Sequence, residues 1–271
     1  MDRTLYLSEK ETLTVARDGP SIWISENGKA PRRIPARIIG RVVIVGNLRI
    51  EAGAITLFTE NSIPVTFLDN RGKEIAVALG YNDGFSRYYE AQKLLISRTE
   101  HIERIKDWIK AKRRRLQLLV LKRLSKELSN KFINEGFREK DYLLIFDRQR
   151  PRETWEVVLN VINGIFREMV ISCLIRAGLD PHLGVLHRRH NFGLALDICY
   201  ILEPEMHLQG IRFLRGAQRK GYIERTSDGW MVSKEGMKDI ALRFENRREM
   251  IVEFVESLID DIFEMIRELR P

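Results

Sequence analysis

Glu74-Ile75-Ala76-Val77-Ala78-Leu79-Gly80-Tyr81-Asn82-Asp83-Gly84-Phe85 divides the chain into two kinds of sequence. Its first six residues, with β-branched Ile75 and Val77, read as a strand, and Tyr81-Asn82-Asp83-Gly84 is a cluster of turn formers. Upstream, short stretches rich in β-branched residues recur at Thr4–Leu7, Thr12–Ala16, Ser21–Ser25, Arg41–Val45 and Pro64–Leu68. Asp18-Gly19-Pro20, Asn27-Gly28 and Asp69-Asn70-Arg71-Gly72 punctuate them as turns. Glu51–Glu60, with Ala54, Leu57 and Phe58 at helical spacing, is the one helix in this set. Downstream the pattern changes. No proline occurs between Pro64 and Pro151, and Gly136 is the only glycine between Gly84 and Gly164, which permits long helices. Ile102, Ile105, Ile109, Leu116, Leu119, Val120, Leu124 and Leu128 recur at helical steps, leaving a cluster of Arg and Lys largely on another face. Trp155–Ala177 reads as a central apolar helix stopped by Gly178, residues 222–233 as a hairpin, and the tail from Glu235 as one long amphipathic helix. The predicted fold class is α+β: a small β-rich N-terminal domain, residues 1–83, followed by a larger α-helical C-terminal domain, residues 84–271.

The 271 residues carry 46 Lys and Arg against 38 Asp and Glu, a net charge of +8. With 44% hydrophobic and 31% charged residues the chain has the composition of a globular protein with a real core. No uninterrupted apolar run approaches the ~20 residues of a membrane span, and the opening residues lack the layout of a secretion signal. Cys173 and Cys199 are too few for a disulfide framework or a four-cysteine zinc site. A reduced, cytoplasmic protein with no membrane association is expected. The excess charge is local: residues 101–150 hold 15 basic and 7 acidic side chains, while the segments on either side nearly cancel. It peaks at Lys110, Lys112, Arg113, Arg114 and Arg115 and continues through Lys122, Arg123 and Lys126. Such a face suits a polyanion, because each neutralised phosphate releases counterions. A solvated helix face is the plainer alternative.

His182, His187 and His190 lie within nine residues, and Asp197, Glu203 and Glu205 follow. Histidine with carboxylates is a hard ligand set suited to Mg²⁺ or Mn²⁺, with zinc possible; polar surface is again the plain alternative. In Gly178-Leu179-Asp180-Pro181-His182-Leu183-Gly184-Val185-Leu186-His187 the glycine and proline break the chain after an apolar helix, and Val185-Leu186 would hold His187 at the edge of the core. Asp197 falls in the first turn of the next helix, where an acid is ordinary dipole complementarity.

The segment GLDPHLGVLH, followed by NFGLALD and then LEP, resembles the CRISPR-associated integrase-nuclease family (Cas protein one), whose pattern is GLDPxLGFLH and then SLALDLMEPFRP. Glu135-Gly136 with Tyr142 resembles the family's EG…Y segment, Arg148-Gln149-Arg150-Pro151 its RxRPP entry to the central helix, and Ser62–Leu68 its GIPVxFL strand. The likeness covers nearly the whole chain in order. It implies a β-rich N-domain, a helical C-domain, a homodimer formed largely by the β domain, double-stranded DNA as substrate, and a small ferredoxin-like companion subunit. It implies an endonuclease and integrase that inserts new spacers into a CRISPR array for antiviral defence, using Mg²⁺ or Mn²⁺ held by Glu135, His187 and an acid after Asp197. The alternative is a DNA-binding structural subunit of the same complex that has lost catalysis. Gly210–Ser233 as a winged-helix-like unit of a transcription regulator is a third reading.

Several positions depart from the family's pattern. The family's third acid sits three residues after the LALD aspartate; here that residue is Tyr200. Either Glu203 takes the place across a one-turn insertion, or Asp197 or Glu205 substitutes, or the site is impaired. Asp197 and Glu203 are six residues apart, about 120° short of one helix face; they could meet one ion only if the helix ends between them, which Pro204 would permit. Phe137-Arg138-Glu139 stands where the family has a small-residue pair, and Glu153 and Glu156 replace its DxxN. Glu168 is read as a buried acid paired with a nearby arginine.

Overall fold

The computed structural model describes residues 3–70, 72, 74–80, 87–136, 138–149, 152–217, 221–226 and 229–269. The chain divides into two compact units, residues 1–83 and 84–271. The turn residues 81–85 that separate the two patterns lie outside the described residues.

The first unit holds two four-stranded sheets. Its elements are β1 (Arg3–Ser8), β2 (Thr14–Asp18), β3 (Ser21–Ser25), β4 (Arg32–Pro35), β5 (Ile39–Val45), β6 (Arg49–Ile50), α1 (Ala52–Glu60), β7 (Val65–Leu68) and β8 (Glu74–Ala78). One sheet runs β1-β5-β7-β8, with β1 and β7 parallel to β5 and β8 antiparallel to β7. The parallel pairing of β5 and β7 requires a crossover, and α1 supplies it. The other sheet runs β4-β3-β2-β6, with β6 parallel to β2. Val15, Ile22, Val42, Ile44, Ala54, Phe58 and Val65 fill the core of this unit. The predicted strands and helix are all present within a few residues. The sequence reading missed β4, which has Arg32-Arg33 and a terminal proline, and the two-residue β6.

The second unit is mostly helical, as predicted: α2 (Tyr89–Leu95), α3 (Thr99–Leu124), α4 (Lys126–Asn134), α5 (Glu139–Gln149), α6 (Arg152–Arg176), α7 (Gly193–Ala217), the hairpin β9 (Ile223–Thr226) and β10 (Gly229–Val232), α8 (Lys234–Glu245) and α9 (Arg248–Arg267). Helix α7 packs on α6 and α3. A stretch of α6 is apolar enough to cross a membrane, but 67% of it is buried inside the protein, as in a core helix. It ends in a Schellman turn: Gly178 takes φ +76°, Leu179 N–H donates to the Leu174 carbonyl and Gly178 N–H to that of Ile175.

Three helix boundaries differ from the sequence reading. Helix α3 stops at Ser125, which is extended, so Leu128 belongs to α4. The C-terminal tail is two helices, broken at Asn246-Arg247 without glycine or proline. Helix α7 does not end at Glu203 but runs through Pro204. Proline removes the N–H that would bond the carbonyl four residues earlier. That carbonyl belongs to Tyr200, and the Arg113 guanidinium donates to it instead.

Candidate active site

The loop between α6 and α7 is built around backbone contact. A Cβ on Gly184 would lie 2.2 Å from the Gly193 carbonyl carbon, so only glycine fits there. The Pro181 carbonyl accepts the Leu194 and Ala195 N–H groups at 2.9 and 3.2 Å and so closes the start of α7. Gln92 clasps Asp180 from both sides, its amide donating to the Asp180 carbonyl and its oxygen accepting the Asp180 N–H. This folds residues 185–187 over the second turn of α7, where Asp197 is buried. Its carboxylate accepts the N–H groups of Val185 (2.6 Å), Leu186 (3.2 Å) and His187 (3.0 Å), and His187 Nδ1 lies 2.8 Å from the same oxygen that His187 N–H reaches. An acid that accepts four bonds fixes the tautomer: Nδ1 carries the proton and Nε2 keeps its lone pair. The His187 side chain is 32% exposed, so Nε2 is the ring nitrogen left for a substrate or an ion. Asp197 is thus the orienting acid behind His187, not an open ligand. His190 packs edge-on against the His187 ring, and His182 stacks on Phe192 and accepts its N–H.

One turn further along α7 stands a second cluster. Arg113 of α3 was expected on the basic, phosphate-binding face but is only 4% exposed. Its guanidinium pairs with Glu139 at 3.1 Å and with Glu203, and donates to the Tyr200 carbonyl. It also lies 4.0 Å from the centroid of the Tyr200 ring. Gln117 donates to both oxygens of Glu139, at 2.8 and 2.7 Å. Burial works against the Arg113 charge, but Glu203, Tyr200 and Glu139 outweigh it and raise its pKa. Burial pushes the Tyr142 phenol beside this cluster well above its ordinary value. His207, whose ring packs on Trp155, lies 3.7 Å from Glu203 through Nε2.

The sequence reading did not find Arg113 as an internal cation, nor Glu139 or Gln117 as its partners. The signal was available. Ile105, Ile109, Leu116 and Val120 line the buried stripe of α3, and Arg113 fills the step between Ile109 and Leu116. A polar residue on an apolar stripe needs a partner, and Pro204 announces an unbonded carbonyl.

The remaining candidates are dispersed. Glu135 follows α4, exposed, 3.8 Å from Lys131. Glu205 is buried and holds Arg123, Arg247 and Gln209. Lys112 pairs with Asp261 and Lys110 with Asp107, while Arg114, Arg115 and Lys122 are exposed. The basic run is therefore split: Arg113 and Arg123 serve internal carboxylates, and the others keep a solvated face. Among the described residues no three His, Cys, Asp or Glu side chains converge on a point where they could hold a metal. Asp197 has its oxygens engaged, Glu139 and Glu203 carry Arg113, and Glu205 carries two arginines. As they stand, these residues do not fit a resident divalent ion.

A β unit of two four-stranded sheets followed by a mostly helical unit is the architecture that the resemblance implies. The chain matches the family described as CRISPR associated protein Cas1 over residues 5–144 and 147–246, and it belongs to that family. It is 24% identical over 272 residues to a CRISPR-associated endonuclease Cas1 of Thermus thermophilus, covering 90% of this chain and 86% of that protein. Its fold is shared with a Cas1 protein from Thermotoga maritima, with a TM-score of 0.79, 16% identity and 97% of each chain covered. It is also shared with a casposase bound to integration product, with a TM-score of 0.71, 21% identity, and 91% of this chain and 82% of that one covered.

Proposed function

We propose that the chain acts on double-stranded DNA in CRISPR spacer acquisition, as an endonuclease/integrase-class subunit whose retained active-site group is His187. The observation that carries this reading is the Asp197–His187 pair, set in the block that resembles the family's own. The charged aspartate holds the imidazole with Nε2 outward, able to accept a proton or bind an electrophile, while exposed basic residues such as Arg114, Arg115 and Lys122 hold phosphates. The resemblance implies Mg²⁺ or Mn²⁺ held by Glu135, His187 and Glu203; with Glu203 on Arg113 and Glu135 exposed beside Lys131, those residues do not form that set as they stand. A homodimer through the β unit, a small ferredoxin-like companion subunit and a cytoplasmic location complete the proposal.

A second reading is favoured by Tyr200 at the third acid's place and by Arg113 on Glu203: a DNA-binding subunit that does not cut. Nicking of supercoiled plasmid with Mn²⁺ or Mg²⁺ separates the two. On the first reading His187→Ala abolishes nicking and leaves plasmid binding nearly unchanged, since binding is mostly phosphate electrostatics. Nicking by His187→Ala at the parent rate would exclude His187 from the chemistry. Binding without any nicking by the parent establishes the second reading.

A further inference from the structure

The other side of α7 carries a charge imbalance that the active-site reading does not use. Glu205 is buried, and two guanidiniums converge on it: Arg123 from α3 at 2.7 Å and Arg247 from the α8–α9 junction at 2.9 Å. Gln209, one turn along, donates at 2.8 Å to Glu205 Oε1, the oxygen that Arg247 reaches, while Arg123 takes Oε2, so both carboxylate oxygens are engaged from within. The same two arginines also meet at the Met250 sulfur, 3.6 Å from Arg123 and 3.7 Å from Arg247. Arg212 lies seven residues beyond Glu205, two turns along the same face of α7, or about 10 Å. Burial, and then the charges of Arg247 and Arg123, hold Arg212 below its ordinary pKa. Arg123 and Arg247 thus share one carboxylate, and Arg212, two turns along, is near enough to feel the charges of all three, so positive charge is in local surplus. The carboxylate lies beneath, while the side chains of Arg123 and Arg247 are 33% and 23% exposed, so the surplus faces water. Arg247 Nε, moreover, is buried with no hydrogen-bond partner among the described residues.

We infer that Arg123, Arg212 and Arg247 form a phosphate-binding site for the sugar-phosphate backbone of a nucleic acid, with Glu205 as its internal counter-charge. Guanidinium groups suit it because they present several donors in one plane and stay charged when partly buried. The buried carboxylate fixes two of them in advance, so little side-chain entropy is lost when a phosphodiester arrives. The inference rests on the chain's being a DNA-binding protein, and it adds Arg212 of α7 and Arg247 to the phosphate contacts of the exposed basic residues of α3.

Arg212 is the member to vary, because Arg123 and Arg247 also support the buried Glu205. Binding of a 30-base-pair duplex of arbitrary sequence, followed by fluorescence anisotropy across a range of NaCl concentrations, reads the contact. Arg212→Gln is expected to lower the log–log salt slope by about 0.9, which amounts to roughly eightfold weaker binding at 0.1 M salt. Arg212→Lys keeps the charge and is expected to keep the slope. A parent slope retained by Arg212→Gln overturns the site, as does an equal loss of affinity in both variants with the slope unchanged, which marks a structural residue. In either case DNA binding by the parent leaves the spacer-acquisition reading standing. A parent that binds no duplex overturns both.

Discussion

Two of the three acids on helix α7 stand in contrasting settings. Asp197 is held by backbone N–H groups, and its charge is spent on turning Nε2 of the His187 imidazole outward.

 Glu203, on the same helix, is held by a guanidinium, and its charge is spent inside the protein on Arg113. The first arrangement leaves a reactive group facing solvent; the second closes one off. What separates them is the donor. Backbone N–H groups neutralise an acid without bringing a side chain into the space in front of it, whereas arginine fills that space and lays its own plane over Tyr200. Two carboxylates six residues apart therefore serve different ends, one orienting a histidine and the other bracing the helix where Pro204 has removed a bond.

The comparison can be broken most severely at Arg113. Arg113→Gln is expected to cost about 3 kcal/mol in urea denaturation, the low end for a broken buried pair because Glu139 and Glu203 both reach water. A loss below about 0.5 kcal/mol would show that Arg113 braces nothing. Asp197→Asn comes next, at about 2 kcal/mol, since it removes charge-assisted bonds but keeps one acceptor for the N–H groups of 185–187. It should also release the His187 ring, seen as a change in the imidazole nitrogen shifts by NMR; unchanged shifts would mean that the loop alone sets the ring. The smallest effect is expected at Tyr200. Tyr200→Leu removes the ring beneath the guanidinium and should cost about 1 kcal/mol, while Tyr200→Phe keeps the ring face and should be nearly neutral. Equal losses in the two would assign the effect to the hydroxyl instead.

The sequence was most legible where one local signal sufficed. Alternation and turn residues marked Ser21–Ser25, and Gly178 marked the end of α6. The block around His187 was legible because its two glycines, its proline and its aspartate act on one another within about twenty residues. The strand Arg32–Pro35 was hidden because its residues, two arginines and a proline among four, owe their conformation to pairing with β3 rather than to their own preferences. The break at Asn246-Arg247 carries no breaker residue; Arg247 turns there toward Glu205, a contact made across 42 residues of sequence, which no local pattern encodes. Arg113 was misplaced for a related reason. Its neighbours Lys112, Arg114 and Arg115 gave the run its character as surface, and the helical phase that sets Arg113 apart from them was read only from the apolar residues.

The distance along the chain between bonded partners gives the His187 corner one more property. Its carboxylate and the Val185 N–H it accepts are 12 residues apart, whereas Arg113 and the Tyr200 carbonyl are 87 apart. Closing the longer loop costs about 1.7 kcal/mol more in chain entropy. The Asp197–His187 contacts can thus form within a single hairpin of α6 and α7, and the Gln92 clasp from α2, 88 residues from Asp180, joins later. Chain entropy favours an order of events in which the histidine is aimed first and the arginine brace arrives afterwards, on a helix whose start is already fixed.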